Sequence, residues 1–294
     1  VVHDADDLDE ATMQRFARWT NLSETTFLLA PTDPAADYRL RIFTPGGELP
    51  FAGHPTLGTC HAWLEAGGMP ADDDRVVQQC QAGLVTVSRG VDGLAFAAPP
   101  LVRSGPIDDD TRREIVDFLG IGADDVVDAA WVDNGPGWAA VLLRDADAVL
   151  ALRPGAGELK VGVVGPYPSG HDCRFEVRAF FPTNGVVLED PVTGSLNASV
   201  AMWLLGSGRA TAPYVASQGT VLGRAGRVHV DTDDAGAVWI GGGTVTPDEI
   251  TANAPRWVQE ITEAVKSLKR LDEAARRGRG GQGLECVSEN LKAA

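Results

Sequence analysis

The chain has 294 residues, 44% of them hydrophobic and 22% charged, with a formal net charge of −16. Such a balance suits one large or two ordinary globular domains with a sizeable core, and the charge argues against nucleic acid and anionic membrane surfaces as partners. The sequence has neither a run of about 18 apolar residues nor a basic n-region before an apolar h-region, so no membrane span and no signal peptide are expected.

Taken in chain order, Val1-Val2 reads as the end of a strand. Asp7 to Trp19 is expected to be helical, with Leu8, Met13, Phe16 and Ala17 on one face and acidic residues in the first turn. Phe27 to Ala30 and Tyr38 to Phe43 read as strands, the second alternating arginine with apolar residues as a half-buried strand does. His54 to Ala66 is a largely apolar helix stopped by Gly67-Gly68. Short strands are expected at Val76 to Gln79, Leu84 to Ser88 and Leu94 to Ala97. Pro99-Pro100 and the acidic run at Asp108 then mark a boundary between lobes at 1–103 and 104–246. A helix from Asp110 to Leu119, with Thr111 as an alternative cap, opens the second lobe. Strands follow at Val126 to Val132, Trp138 to Leu143 and Arg174 to Phe181, then a second apolar helix from Ser195 to Leu205. Thr220 to Leu222, Arg227 to Val230 and Ala237 to Ile240 read as the closing strands. Residues 247–294 form an extra tail, with an amphipathic helix around Trp257 to Leu271 and a flexible glycine–arginine stretch.

One pattern occurs twice. A strand ending in Arg-x-Phe-x-Pro is followed by an acidic loop, a glycine and an apolar helix, at Arg41 to Gly53 and again at Arg178 to Gly194. Arg41 aligns with Arg178 and Pro45 with Pro182. Beyond a longer loop in the second copy, Gly53 aligns with Gly194, Leu64 with Leu205 and Gly67 with Gly208. Repetition of this kind suggests α+β lobes, each a curved antiparallel sheet around its own helix, facing a shared cleft.

Both helix starts carry candidate chemistry. Ala52-Gly53-His54 and Thr193-Gly194-Ser195 offer free N–H groups and the positive end of a helix dipole to an anion. On local grounds Ser195 is equally an N-cap and Gly53 a turn glycine. Glu24, Glu48, Glu189 and Asp190 are candidate general bases if a partly apolar site raises their pKa. A solvated loop acid is the plain alternative for Glu24. His54 is either a proton carrier or structural, and His61 reads as a buried, hydrogen-bonded histidine. Asn134-Gly-Pro-Gly is a turn whose amide can reach a ligand. Arg39, Arg41, Arg178 and Arg224 are available to line a pocket. The four cysteines (Cys60, Cys80, Cys173, Cys286) lack metal-ligand spacing and are read as reduced thiols of a cytoplasmic protein with no metal site. Gly219 to Gly226 lacks the strand–GxGxxG–helix context of a dinucleotide loop.

Asn21-Leu-Ser-Glu-Thr, Arg41-Ile-Phe-Thr-Pro with Glu48-Leu-Pro-Phe-Ala-Gly-His-Pro, Asn134-Gly-Pro, and Glu189-Asp-Pro-Val-Thr-Gly-Ser, in this order, resemble the PhzF-like, phenazine-biosynthesis family from Val1 to Val245. The resemblance implies the diaminopimelate-epimerase fold: two pseudo-symmetric lobes, each a curved sheet wrapped around a central helix, with the last strand of the second able to return to the first. It also implies a family strand and a Gly-Asn-Pro loop upstream of Val1. A cofactor-independent isomerase is implied, one that moves a proton between carbons of a small carboxylate-bearing metabolite. The family's acid/base carboxylate falls on Glu24, with His54, Asp190 and Ser195 in supporting catalytic positions. Gly53, Gly194, Thr193 and Asn134 fall at the substrate, and a homodimer is the family tendency. Epimerase relatives place a cysteine at each helix start, where this chain has Ala52 and Thr193. An amino-acid epimerase or racemase is therefore the alternative enzyme, and a non-catalytic ligand-binding protein the alternative outside enzymes.

Overall fold

The computed structural model describes residues 1–90, 93–183 and 186–246. Its first half runs α1 (Glu10–Thr20), β1 (Thr25–Leu29), β2 (Tyr38–Phe43), β3 (Glu48–Leu49), α2 (Gly53–Glu65), β4 (Arg75–Cys80), β5 (Gly83–Gly90) and β6 (Gly93–Ala97). The second runs β7 (Arg103–Pro106), α3 (Asp109–Leu119), β8 (Val126–Asp133), β9 (Trp138–Leu143), α4 (Ala146–Ala151), β10 (Lys160–Pro166), β11 (Phe175–Thr183), β12 (Val186–Asp190), α5 (Gly194–Gly206), β13 (Tyr214–Gln218), β14 (Gly226–Thr232) and β15 (Val238–Gly242).

Local chemistry explains the helix ends. Asp9 caps α1 by accepting from the Thr12 N–H at 2.8 Å, and Asn21 ends it in the left-handed region with φ 50°. Asp108 caps α3 in the same way through Thr111, so the expected alternative cap is the residue being capped. α2 and α5 have no side-chain cap. Each is thirteen residues long and apolar on nearly every face, and packing rather than propensity holds it.

The strands form one mixed sheet, ordered β1-β2-β4-β5-β6-β15-β14-β13-β11-β10-β9-β8-β7, with β3 and β12 as hairpin partners of β2 and β11. This order reads nearly the same from both ends. β1-β2-β4-β5-β6 and β10-β11-β13-β14-β15 share the same succession of antiparallel and parallel pairings, and β6 meets β15 antiparallel at the centre, with Phe96 opposite Ile240. The expectation of antiparallel sheets fails at β2–β4, β11–β13 and β9–β10, which are parallel. In the first two, an apolar helix connects the paired strands, and a helical crossover returns the chain in the same direction. One buried cluster contains Leu57 and Cys60 of α2 together with Leu196, Ala198, Val200 and Leu204 of α5.

Thr220 to Leu222 is a short 3₁₀ turn flanked by Gly219 and Gly223 in the left-handed region, not a strand. β3, β7, β10, β12 and β13 and the short α4 were not expected, β3 and β12 lying where acidic loops were read. β10 carries Gly162 and Gly165. In the fold they are gaps filled by the Leu196 side chain and the Asp145 backbone. The expected tail helix at 257–271, the glycine–arginine stretch and Cys286 lie outside the described residues. Among the described residues, no helix is long and apolar enough to cross a membrane.

Candidate functional site

The two apolar helices meet end to end at their N-termini. A Cβ on Gly53 would lie 2.8 Å from the Gly194 Cα, and one on Gly194 would lie 2.7 Å from the Gly53 Cα. Only glycine permits that approach at either position. The two uncapped helix starts are thereby brought together, with His54 in the first turn of α2 and Ser195 in the first turn of α5.

Glu24 sits between the αL end of α1 and the start of β1. Thr25 Oγ1 is 3.1 Å from Thr20 Oγ1, and Thr59 of α2 donates to Thr26 at 2.9 Å. Those contacts on either side hold the loop against the helix. The Glu24 side chain is 16% exposed, and its Oε2 lies 2.8 Å from His54 Nε2. This ion-pair contact is off the line of a ring N–H hydrogen bond, so Oε2 is a buried oxygen without a full partner. His54 stands in the first turn of α2. Partial burial would push its pKa down, but contact with Glu24, the charges of Glu24 and Asp190 and a bond to Val192 backbone outweigh it and hold the pKa above the ordinary value. Asp190, at the end of β12, is pushed up by burial and by the Glu24 charge, against a hydrogen bond from Thr193 Oγ1 at 2.6 Å and the attraction of His54. The His54 ring thus stands among two carboxylates, which favour its protonated form.

Ser195 is held from the far side: its Oγ accepts from Trp138 Nε1 at 3.1 Å, and its carbonyl accepts from Asn134 Nδ2 at 3.0 Å. The structure therefore brings Glu24, His54, Gly53, Asp190, Thr193, Gly194, Ser195 and Asn134 to one junction. Glu48 and Glu189 are not part of it. Each forms a two-pronged bond with the arginine of its own copy, Glu48 with Arg41 and Glu189 with Arg178, which removes both carboxylates from the list of bases and both arginines from the list of pocket residues. His61 is not satisfied by a hydrogen bond as expected; its Nε2 lies 3.5 Å from Glu65. Two cavities of about 460 and 660 Å³ lie elsewhere, lined by residues such as Trp131 and Trp203 or His229 and Trp239, and include none of the junction residues.

Trp138 and Gln218 escaped the sequence reading. Gln218 is completely buried and touches Asp190, Thr193 and Asn197, yet its only sequence signal is its place before Gly219. Cys60, Cys80 and Cys173 are buried and free. Burial pushes the Cys60 thiol to about 12 and raises the other two, so none is a ready thiolate. The residues at the helix N-caps are Ala52 and Thr193.

Residues 1–249 match the family model of phenazine biosynthesis-like proteins, PhzC-PhzF. The chain belongs to that family. Its relatives include antisense-enhancing sequence 1 of Schizosaccharomyces pombe, 37% identical over 267 residues that cover 82% of this chain and 88% of the relative. Trans-2,3-dihydro-3-hydroxyanthranilate isomerase of Pseudomonas fluorescens is 37% identical over 230 residues, covering 76% and 80%. Among solved structures, a PhzF-family phenazine biosynthesis protein of Enterococcus faecalis superimposes with a TM-score of 0.64 at 26% identity, covering 82% of this chain and 86% of that one. A predicted epimerase of Pseudomonas aeruginosa gives a TM-score of 0.63 at 29% identity, covering 82% and 88%. The fold is the PhzF and epimerase-like fold, and this PhzF-family chain is an isomerase.

Proposed function

We propose that this PhzF-family isomerase moves a proton between two carbons of a small, carboxylate-bearing, unsaturated metabolite without a cofactor, and that Glu24 is its single acid/base. The observation that carries this reading is the Glu24 carboxylate, mostly buried, with one oxygen lacking a full hydrogen-bond partner and with the His54 ring 2.8 Å away. Glu24 takes a proton from a carbon acidified by the adjacent unsaturated system and becomes a neutral acid. The charge left on the substrate delocalises toward its carboxylate, and the Glu24 carboxyl, whose proton exchanges with solvent while it resides there, protonates a second carbon. Atoms and charge balance with no co-reactant.

The N–H groups of Gly53, His54, Gly194 and Ser195 belong to the first helical turns, where they have no partner within the helix, and the two helix dipoles add to their pull on an anion. They would hold the substrate carboxylate. Ser195 would touch the substrate through its Oγ, and Asn134 would fix that helix turn from behind. The protein's partner in this reading is a small carboxylic acid, and its assembly a homodimer formed away from the junction. A two-thiol racemase is disfavoured, because Ala52 and Thr193 stand where thiols would be needed and the described thiols are buried.

The test is solvent deuterium incorporation, followed by proton NMR in D₂O. The probes are trans-2,3-dihydro-3-hydroxyanthranilate, the substrate named for the Pseudomonas relatives, and a panel of free amino acids. Deuterium is expected in the unsaturated acid, and Glu24→Gln should slow its entry by about 10²–10⁴-fold while calorimetric binding of the acid persists. Undiminished exchange in Glu24→Gln rules out the acid/base role. Exchange confined to the Cα of a free amino acid would make the protein an epimerase.

A further inference from the structure

The Gln218 amide makes four hydrogen bonds. Its Oε1 accepts from the Thr193 backbone N–H at 3.0 Å and from Asn197 Nδ2 at 2.7 Å; its Nε2 donates to the Asp190 carbonyl at 2.9 Å and to Thr193 Oγ1 at 3.0 Å. Two of these partners fix the orientation of the amide. A backbone N–H can only donate and a backbone carbonyl can only accept, so Oε1 and Nε2 cannot be exchanged. The rest follows in sequence. Because Thr193 Oγ1 accepts from Nε2, its own proton must point elsewhere, and its remaining neighbour is Asp190 Oδ2 at 2.6 Å.

From this chain of donors we infer that Gln218 is a positioning residue. By dictating the direction of the Thr193 hydroxyl, it delivers a hydrogen bond to the Asp190 carboxylate and keeps that carboxylate charged and aimed at His54. The inference rests on the proposed role of the junction as a proton-transfer site. The relay is one-sided. Position 52, which matches Thr193 in the first copy, is alanine and has no hydroxyl to turn. The buried glutamine on β4, Gln78, accepts from Tyr38 and donates to Thr56 instead. Gln218 also occupies the Thr193 N–H, which leaves the N–H groups of α5 from Gly194 onward to face a ligand.

Gly219 completes the arrangement. A Cβ there would lie 2.7 Å from the Pro191 carbonyl oxygen, so only glycine lets the chain after Gln218 pass beneath the Asp190–Thr193 turn. Gly219 and Gly226, whose stretch lacks the context of a nucleotide loop, thus serve close packing, whereas Gly223 is a left-handed turn residue.

The experiment is NMR titration of the His54 ring in the full-length protein, which needs no substrate, with circular dichroism to confirm folding. Gln218→Met keeps the side-chain length but removes every donor and acceptor. It should lower the His54 titration midpoint by roughly half a unit or more, because a charge-assisted bond that holds the neighbouring anion is lost. Thr193→Val should lower it equally, Thr193→Ser should restore it, and the Gln218→Met/Thr193→Val pair should match Thr193→Val alone. Gln218→Leu, which likewise removes every donor and acceptor and adds no charge, should also lower the midpoint. That variant serves if Gln218→Met does not fold. An unchanged midpoint in folded Gln218 variants, while Asp190→Asn lowers it, would reduce Gln218 to a packing residue. This readout is separate from deuterium exchange in Glu24→Gln, so the relay and the acid/base reading can fail independently.

Discussion

The two copies of the repeated unit use the same parts at different depths. In the first, Arg41 is 18% exposed and is shared between Glu48, at 21%, and Glu10 of α1, at 72%. In the second, Arg178 is 3% exposed and Glu189 12%. Its remaining nitrogen donates to the carbonyls of Val149 and Leu152 at the end of α4, at 3.1 and 3.0 Å. Where the first copy has a solvated glutamate, the second has the negative end of a helix. The difference teaches that duplication preserved the scaffold of strand, ion pair and helix start while burial was redistributed. The chemistry is divided in the same way: the first copy supplies His54, the second supplies Asp190, Thr193 and Ser195, and Glu24 enters from a loop outside both.

This contrast can be broken most forcefully at the ion pairs. Arg178→Met leaves Glu189 charged, mostly buried and unpaired, and should cost about 3–5 kcal/mol in urea unfolding. Arg41→Met leaves a more solvated Glu48 and should cost about 1 kcal/mol or less. Equal losses would show that depth does not separate the copies. The helix junction comes next. Gly194→Ala and Gly53→Ala each force a methyl into the opposite helix start and should each destabilise by about 1–3 kcal/mol. Because both act on one contact, the double variant should cost less than the sum of the two. Additive losses would mean that the helix ends do not abut.

The smallest effect is on pH dependence. A histidine whose folded pKa is raised keeps its charge to higher pH, contributes fully to stability below its unfolded pKa near 6.5 and loses that contribution as pH rises through the folded value. If isomerisation needs His54 protonated, the alkaline limb of the rate profile lies above 6.5. Asp190→Asn removes a negative neighbour and should draw that limb to lower pH by roughly half a unit to one unit. Asp190 itself works in the opposite sense at acid pH. Burial raises its carboxyl, so the stability this contributes is present below the ordinary aspartate range and is lost as pH rises through the raised value. A limb unmoved in Asp190→Asn would remove Asp190 from the electrostatics of His54.

Much of the site was legible because its residues lie within short ordered motifs. Glu24, His54, Asp190 and Ser195 were all named from the sequence, and the structure gathers them. Glu48 and Glu189 were legible only as carboxylates. Nothing along the chain announces that each is taken by the arginine at the start of its own motif, since that pairing depends on β2–β3 and β11–β12 folding back as hairpins. Gln218 and Trp138 were missed because a polar atom buried at a strand end has no periodicity; its role exists only through what packs against it.

The sequence by itself determined the duplicated unit, the two apolar helices and the glycine that begins each, because local pattern and composition encode which segments must be buried. Tertiary structure alone decided that β6 joins β15, that Gly53 and Gly194 touch, and that one glutamine aims a threonine hydroxyl at Asp190. Those outcomes depend on distance and direction between segments far apart in the chain, and on the need of every buried donor and acceptor for a partner.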